Sequence, residues 1–177
     1  CGTAERASLT IRDDPAKPEK KQLQWRFTRS DAPVDPADFG DPVDGVAGYR
    51  LCLYDALAGD EALAGGAAVA AGGVCGKKPC WKAVRDGFRF KDRTGAQGGT
   101  LAVALRGGEA KRSKFSVKAK GLSLDLPGAA GAQYLHADVT VRAQLVNPSN
   151  SACWESTFTA PGHVAKNTAI QFKARRR

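Results

Sequence analysis

The sequence predicts an all-β fold, an antiparallel β-sandwich, and three observations carry that prediction. Apolar residues recur with a period of two through most of the 177-residue chain. Turn residues cut it into short runs, and no stretch of useful length shows a clean 3.6-residue amphipathic repeat. Cysteines within the strand-rich body add covalent staples. A barrel produces the same alternation and stands as the alternative architecture.

From Lys21 to Arg29, Leu23, Trp25 and Phe27 alternate with Gln22, Gln24, Arg26 and Thr28, the pattern of a strand with one buried face. Tyr49, Leu51 and Leu53 share a face opposite Arg50, Cys52 and Tyr54, and Phe88-Arg89-Phe90 alternates likewise. The best helix candidate is Asp55 to Leu63, weakened by Gly59, Gly65 and Gly66 and by a lack of bulky apolar residues. Leu101, Val103 and Leu105 lead to Gly107-Gly108, and Phe115, Val117 and Ala119 return, which predicts a hairpin. Val139, Val141, Ala143 and Leu145 form a further strand, which Asn147-Pro148-Ser149-Asn150 turns into Cys153 to Phe158. Ile170 and Phe172 predict a last strand ahead of an Arg175-Arg176-Arg177 tail.

At 42% hydrophobic residues the chain can bury an ordinary core without help from disulfides. Cys1 to Ala7 reads as a leader, and residues 8–177 as a single sandwich domain completed by the block from about Gln133. Pro127 to Gly131 is the most linker-like point. No run of about 20 apolar residues offers a transmembrane helix. The opening Cys1-Gly2-Thr3 and the absence of Met read as a processed product. Cys1 is therefore expected to carry lipid or to link to another chain, the plain alternative being a chance start, and the membrane would be met only through that lipid.

Cys52, Cys75, Cys80 and Cys153 lack metal-ligand spacing, so two disulfides in an extracytoplasmic, secreted or outer-surface protein are expected. Trp81 and Trp154 each follow a cysteine, which favours Cys80 with Cys153 and Cys52 with Cys75. The alternative is a tight Cys75–Cys80 loop with Cys52 bonded to Cys153.

The formal charge of +9 selects for anionic partners. Asp31, Asp35, Asp38, Asp41 and Asp44, interrupted by prolines, suit a calcium site, docking on a basic neighbour, or a plain solvated loop. Lys114, Lys118 and Lys120 share the face opposite Phe115, Val117 and Ala119. That stripe reads as a solvated, aggregation-resistant sheet face or as a polyanion contact joined by Arg142 and the arginine tail. Specific nucleic-acid readout is not expected, because no recognition helix or RNA-binding signature accompanies the charge.

Several segments together resemble a group of predicted secreted bacterial proteins of uncharacterised activity. They are Asp13-Asp14-Pro15, Tyr49-Arg50-Leu51-Cys52-Leu53-Tyr54-Asp55, Pro79-Cys80-Trp81-Lys82, Gly87 to Asp92, and Cys153-Trp154-Glu155. The resemblance implies export and paired cysteines, and it supplies no catalytic or binding residues.

Catalytic patterns are missing. No Gly-x-Ser-x-Gly elbow accompanies His136 or His163, of which the first reads as a strand-edge residue and the second as a loop residue. Glu155 lacks an evident carboxylate partner for glycoside hydrolysis, and Gly95 to Gly99 lacks the setting of a phosphate loop. No cofactor or metal is expected. The sequence therefore points to a non-enzymatic structural or accessory protein acting through protein neighbours in a surface assembly, with an anionic-glycan or polyanion-binding module as the alternative.

Overall fold

The structure, a computed structural model, describes every residue except 59 and 137–139, together with the side chain at 57. The expected strand residue Val139, and Gly59 and Ala137, lie outside the described residues.

The strands are β1 (Gly2–Arg12), β2 (Gln22–Ser30), β3 (Tyr49–Leu57), β4 (Asp60–Val69), β5 (Val74–Cys75), β6 (Lys78–Pro79) and β7 (Trp81–Val84). They continue with β8 (Gly87–Lys91), β9 (Thr100–Arg106), β10 (Lys114–Lys120), β11 (Thr140–Asn147), β12 (Ala152–Thr159), β13 (Val164–Thr168) and β14 (Gln171–Arg176). All but β5 and β6 join one 12-stranded sheet in the order β4-β3-β11-β12-β1-β2-β10-β9-β8-β7, with β14 on β1 and β13 on β14. The fold is all-β, as the alternation predicted.

The sheet curls so that two halves face each other as the layers of a sandwich. Strand β1 is the join. Gly2 and Thr3 pair in parallel with β12, whereas Ala7 to Arg12 lie antiparallel between β14 and β2. The segment Cys1 to Ala7, expected as a leader, is thus built into the sheet. The arginine tail is corrected in the same way, since Arg175 and Arg176 pair with Ser8 and Ala7.

One hydrophobic cluster fills the space between the halves and includes residues from Ala4 to Ala174. Trp154 of β12 packs on Phe115 of β10 at 5.1 Å, and Trp81 of β7 packs on Tyr49 of β3 at 5.6 Å. Each contact crosses from one half to the other. The fully buried Trp25 of β2 donates its indole N–H to Ser156 Oγ of β12 at 3.3 Å, which satisfies its polar atom inside the core.

The helix candidate at Asp55 to Leu63 is a β-hairpin instead, formed by β3 and β4. Gly66 explains why the strand needs its glycines, because a Cβ there would stand 1.9 Å from the Leu51 carbonyl oxygen. Gly65, with φ +156°, accommodates the register shift between Leu53 and Tyr54. Close backbone approach therefore accounts for the composition that weakened the helix reading.

Both disulfides differ from the favoured pairing. Cys1 bonds Cys153 across Cα atoms 4.7 Å apart, and Cys75 bonds Cys80 at 4.9 Å, while Cys52 is a free thiol. Alternation explains the first bridge: buried Trp154 turns inward, so Cys153 points outward, where parallel β1 delivers Cys1. The expected lipid or intermolecular role of Cys1 is corrected with it, since its sulfur is already bonded. Cys52 lies opposite Gln144 and Gly66 in mid-sheet, away from the β5–β6 hairpin that holds Cys75. The proposed Cys80–Cys153 bridge fails because Trp81 and Trp154 pack in different aromatic groups, with Phe90 and Phe39 respectively. Two bridges place the chain in an oxidising, extracytoplasmic setting.

A candidate polyanion-binding face

The outward side of the second half, made by β8, β9, β10, β2, β1 and β14, is built by the same alternation that buries its inner side. In β10, Phe115, Val117 and Ala119 are buried, which leaves Lys114, Ser116, Lys118 and Lys120 outside. In β2, burial of Leu23, Trp25 and Phe27 turns Gln22, Gln24, Arg26 and Thr28 to the same side. Burial of Leu9 and Ile11 similarly turns half-buried Ser8 and Thr10 and exposed Arg12 of β1 outward.

Register then assembles these positions into transverse rows. One row reads Arg89, Ala104, Ser116, Arg26, Ser8 and Arg175 across β8, β9, β10, β2, β1 and β14. Two residues along, the next reads Lys91, Ala102, Lys118, Gln24, Thr10 and Lys173. Flanking rows hold Arg106, Lys114, Thr28 and Arg6 on one side and Lys120, Gln22, Arg12 and Gln171 on the other. No row contains a carboxylate.

Among the described residues, only Arg106 of these cations has an acidic partner, Asp86 at the edge, 3.2 Å away. The others face solvent without an ion pair. Lys114 and Arg106 stand directly opposite one another as like charges, an arrangement that costs the sheet stability. With its side-chain oxygen turned toward Arg26, Gln24 accepts from Arg26 Nε and Nη2, both at 3.0 Å. That contact fixes the guanidinium without neutralising it.

Small side chains make the floor between the long ones. Over β9, Ala102 and Ala104 lie low between Arg89 and Lys91 on one side and Lys114 and Lys118 on the other. The result is two hollows of about 650 and 570 Å³ that share Arg89, Ala104, Ser116 and Lys118. Over β1, Ser8 and Thr10 lie between Arg26 of β2 and Lys173 and Arg175 of β14, forming a groove of about 770 Å³. His163 borders this groove, and its Nδ1 accepts from the Thr159 N–H at 3.0 Å, so the neutral ring carries its proton on Nε2. Strands lie ~4.8 Å apart, so the two groove floors, separated by β10 and β2, are ~14 Å from each other.

The stripe residues Lys114, Lys118 and Lys120 therefore belong to a face several strands wide. Arg142 does not join it. It lies on β11 in the other half, stacked 4.3 Å over Tyr54 and bonded to Glu61 (Nε to Oε1, 3.1 Å) and Glu155 (3.3 Å). The Glu61 contact, more than any other influence, raises the Arg142 pKa further above its ordinary value. Glu155, partnerless in sequence, thus has Arg142 and also Gln144 at 3.2 Å.

The aspartate stretch does not converge. Asp31 accepts from Thr3 Oγ1 at 2.8 Å, Asp35 caps Ala37 N–H at 2.8 Å, and Asp38 accepts from Asp35 N–H at 3.0 Å. Asp41 accepts from Val43 N–H at 2.8 Å, and Asp44 has no side-chain partner among the described residues. The hydrogen bond from the Thr3 side chain is the main cause that lowers the Asp31 pKa. Among the described residues no group of three or more His, Cys, Asp or Glu is placed to hold a metal. The stretch instead carries Phe39, fully buried against Trp154 at 5.4 Å, whose carbonyl accepts from Tyr49 Oη and from Asn147 Nδ2. It is a plug at one end of the sandwich, a role its charge conceals.

His136 lies in a loop, its backbone N–H donating to Asp55 Oδ2 at 2.7 Å. The residues missed in the sequence are Arg6, Arg12, Arg26, Arg89, Lys91, Arg106 and Lys173, whereas Arg175 of the arginine tail does join the stripe's face as expected. Arg26 and Arg89 were readable as outward within their strands, but β1 with Arg6 and Arg12 was not read as a strand, and strand order alone brings all of them together. No protein-family model matches the chain, and it matches no curated protein and no solved structure.

Proposed function

We propose that the protein is an extracytoplasmic, non-enzymatic binding module for extended polyanions, held across the rows of the second half. One observation supports this above the others: the four transverse rows on six adjacent strands hold cations and uncharged residues but no carboxylate, the nearest outward acid of β1, Glu5, lying beyond them and paired with Arg29 and Lys111. A face that only needed solubility would mix both signs, because unpaired like charges repel. An extended anion gains from many such contacts through release of its counterions.

Assembly through protein neighbours finds less support. Four of the five aspartates intended for docking hold their own backbone instead.

The test is retention on an immobilised polyanion, with elution by salt. The wild type should be retained and elute at elevated salt, and the K114Q/K118Q/K120Q variant should elute much earlier with its thermal stability intact. Equal elution of the two proteins, or no retention of the wild type, overturns the proposal.

A further inference from the structure

We infer that the groove over β1 selects a hydroxyl-rich anion, a sulfated or carboxylated glycan, in preference to a bare polyphosphate; the inference rests on the polyanion reading above. The two grooves differ in their floors. Ala102 and Ala104 give the β9 groove a floor with no side-chain donor or acceptor, leaving hydroxyls only on its walls, at Thr28 and Ser116, beside the cations. The β1 groove is floored by Ser8 and Thr10, whose hydroxyls have no hydrogen-bond partner among the described residues.

Each hydroxyl offers a donor and acceptor sites, and Gln24 presents its amide hydrogens once its oxygen is held by Arg26. Phosphate oxygens of a polyphosphate near neutral pH chiefly accept, so they would leave the acceptor capacity of Ser8 and Thr10 unused. Sugar hydroxyls both donate and accept, and match it. Lys173 and Arg175 on one wall and Arg26 on the other bind the sulfate or carboxylate groups, and His163 adds an Nε2–H at the border. A site that hydrogen-bonds a hydroxyl discriminates against ligands lacking it, because its polar groups are then left unmatched.

Affinity for a heparin-derived oligosaccharide and for linear inorganic polyphosphate of similar charge, measured at one ionic strength by titration calorimetry, separates the possibilities. The S8A/T10V variant should lose about five- to tenfold on the oligosaccharide and less than about twofold on polyphosphate. T10S, which keeps the hydroxyl, should stay within about twofold of wild type on both and guards against a change in strand packing. R89Q/K118Q, in the β9 groove, should weaken both ligands to a similar degree. Equal losses of S8A/T10V on both ligands, or no loss on either, overturn the glycan preference while leaving polyanion binding standing. Failure of the wild type to bind either ligand overturns the polyanion reading itself, and the preference with it.

Discussion

The two outward faces of this sheet use charge in opposite ways. On β3, β4, β11 and β12, Arg142 is held by Glu61 and Glu155 and covered by Tyr54, so the cation completes a local network. On β8, β9, β10, β2, β1 and β14, Arg26, Arg89 and Lys118 stand in rows without any carboxylate, and Lys114 faces Arg106 directly. The first arrangement is satisfied by the chain itself. The second is left repulsive, and a bound polyanion would relieve it. Charge that the fold does not use is therefore the better guide to binding than charge in total.

The largest effect should come at the join between the halves. The Cys1–Cys153 bridge spans a sequence separation of 152, whereas Cys75–Cys80 spans 5. In the chain-entropy account, removing the long bridge costs ~4–5 kcal/mol, and removing the short one costs clearly less. The C1S/C153S variant should therefore melt far below C75S/C80S in thermal denaturation. Equal melting temperatures would show that β1 docks on β12 without needing the bond.

Next in size is the response of the repulsive face to salt and ligand. Because a ligand binding only the folded state stabilises it, a saturating polyanion at 100 times its Kd should raise stability by ~2.7 kcal/mol. Salt without ligand should also raise the melting temperature, by screening the repulsion between neighbouring cations. The K114Q/K118Q/K120Q variant should lose most of both responses. If it keeps them, the charge that matters lies outside this stripe.

The alternation of Leu23, Trp25 and Phe27 with polar residues was enough to place β2 and to say which side of it faces water. The same held for β3, β9, β10 and β12. Strand β1 was not legible, because the spacing of its buried residues breaks between Ala4 and Ala7, where it changes partners and where Arg29 opposite adopts φ +63°. Small alanines there carry little apolar signal in any case. The candidate face was half legible: Lys114, Lys118 and Lys120 lie on one strand and declare a stripe, and the arginine tail was expected beside it, but Arg89, Arg26 and Lys173 meet it only through strand order. That order is set by long-range pairing, such as β10 on β2, which local periodicity does not encode. The long-range disulfide was misread for the same reason, since it depends on which strands adjoin, whereas the tight Cys75–Cys80 loop of the alternative pairing is local and is present.

A smaller effect concerns Asp92, in the turn that carries β8 into β9 beneath Lys91. Its buried carboxylate accepts from Thr94 N–H at 2.8 Å, Thr94 Oγ1 at 2.6 Å and Ala96 N–H at 2.8 Å. The Thr94 side-chain bond is the first cause that lowers its pKa. A folded-state pKa below the unfolded one gives stability that is present above the ordinary carboxylate range and is lost as pH falls through the lowered value. D92N should thus melt lower at neutral pH by ~1–2 kcal/mol and show a shallower loss of stability on acidification. An unchanged acid limb would assign that sensitivity to other carboxylates, such as Asp31.

The smallest expected change, and the sharpest test of the comparison, is at Arg142. Replacing it with Gln leaves Glu61 and Glu155 without their shared cation and removes the stack on Tyr54. Partly exposed ion pairs contribute little, so the cost should be ~1 kcal/mol in urea denaturation. Polyanion affinity should be unchanged, although R142Q removes one positive charge from the whole molecule, as does K118Q. If net charge were what attracts the ligand, the two variants would lose affinity equally. A loss confined to K118Q instead assigns recognition to the unpaired rows, because Arg142 is already committed to its own carboxylates and presents no free charge to a partner.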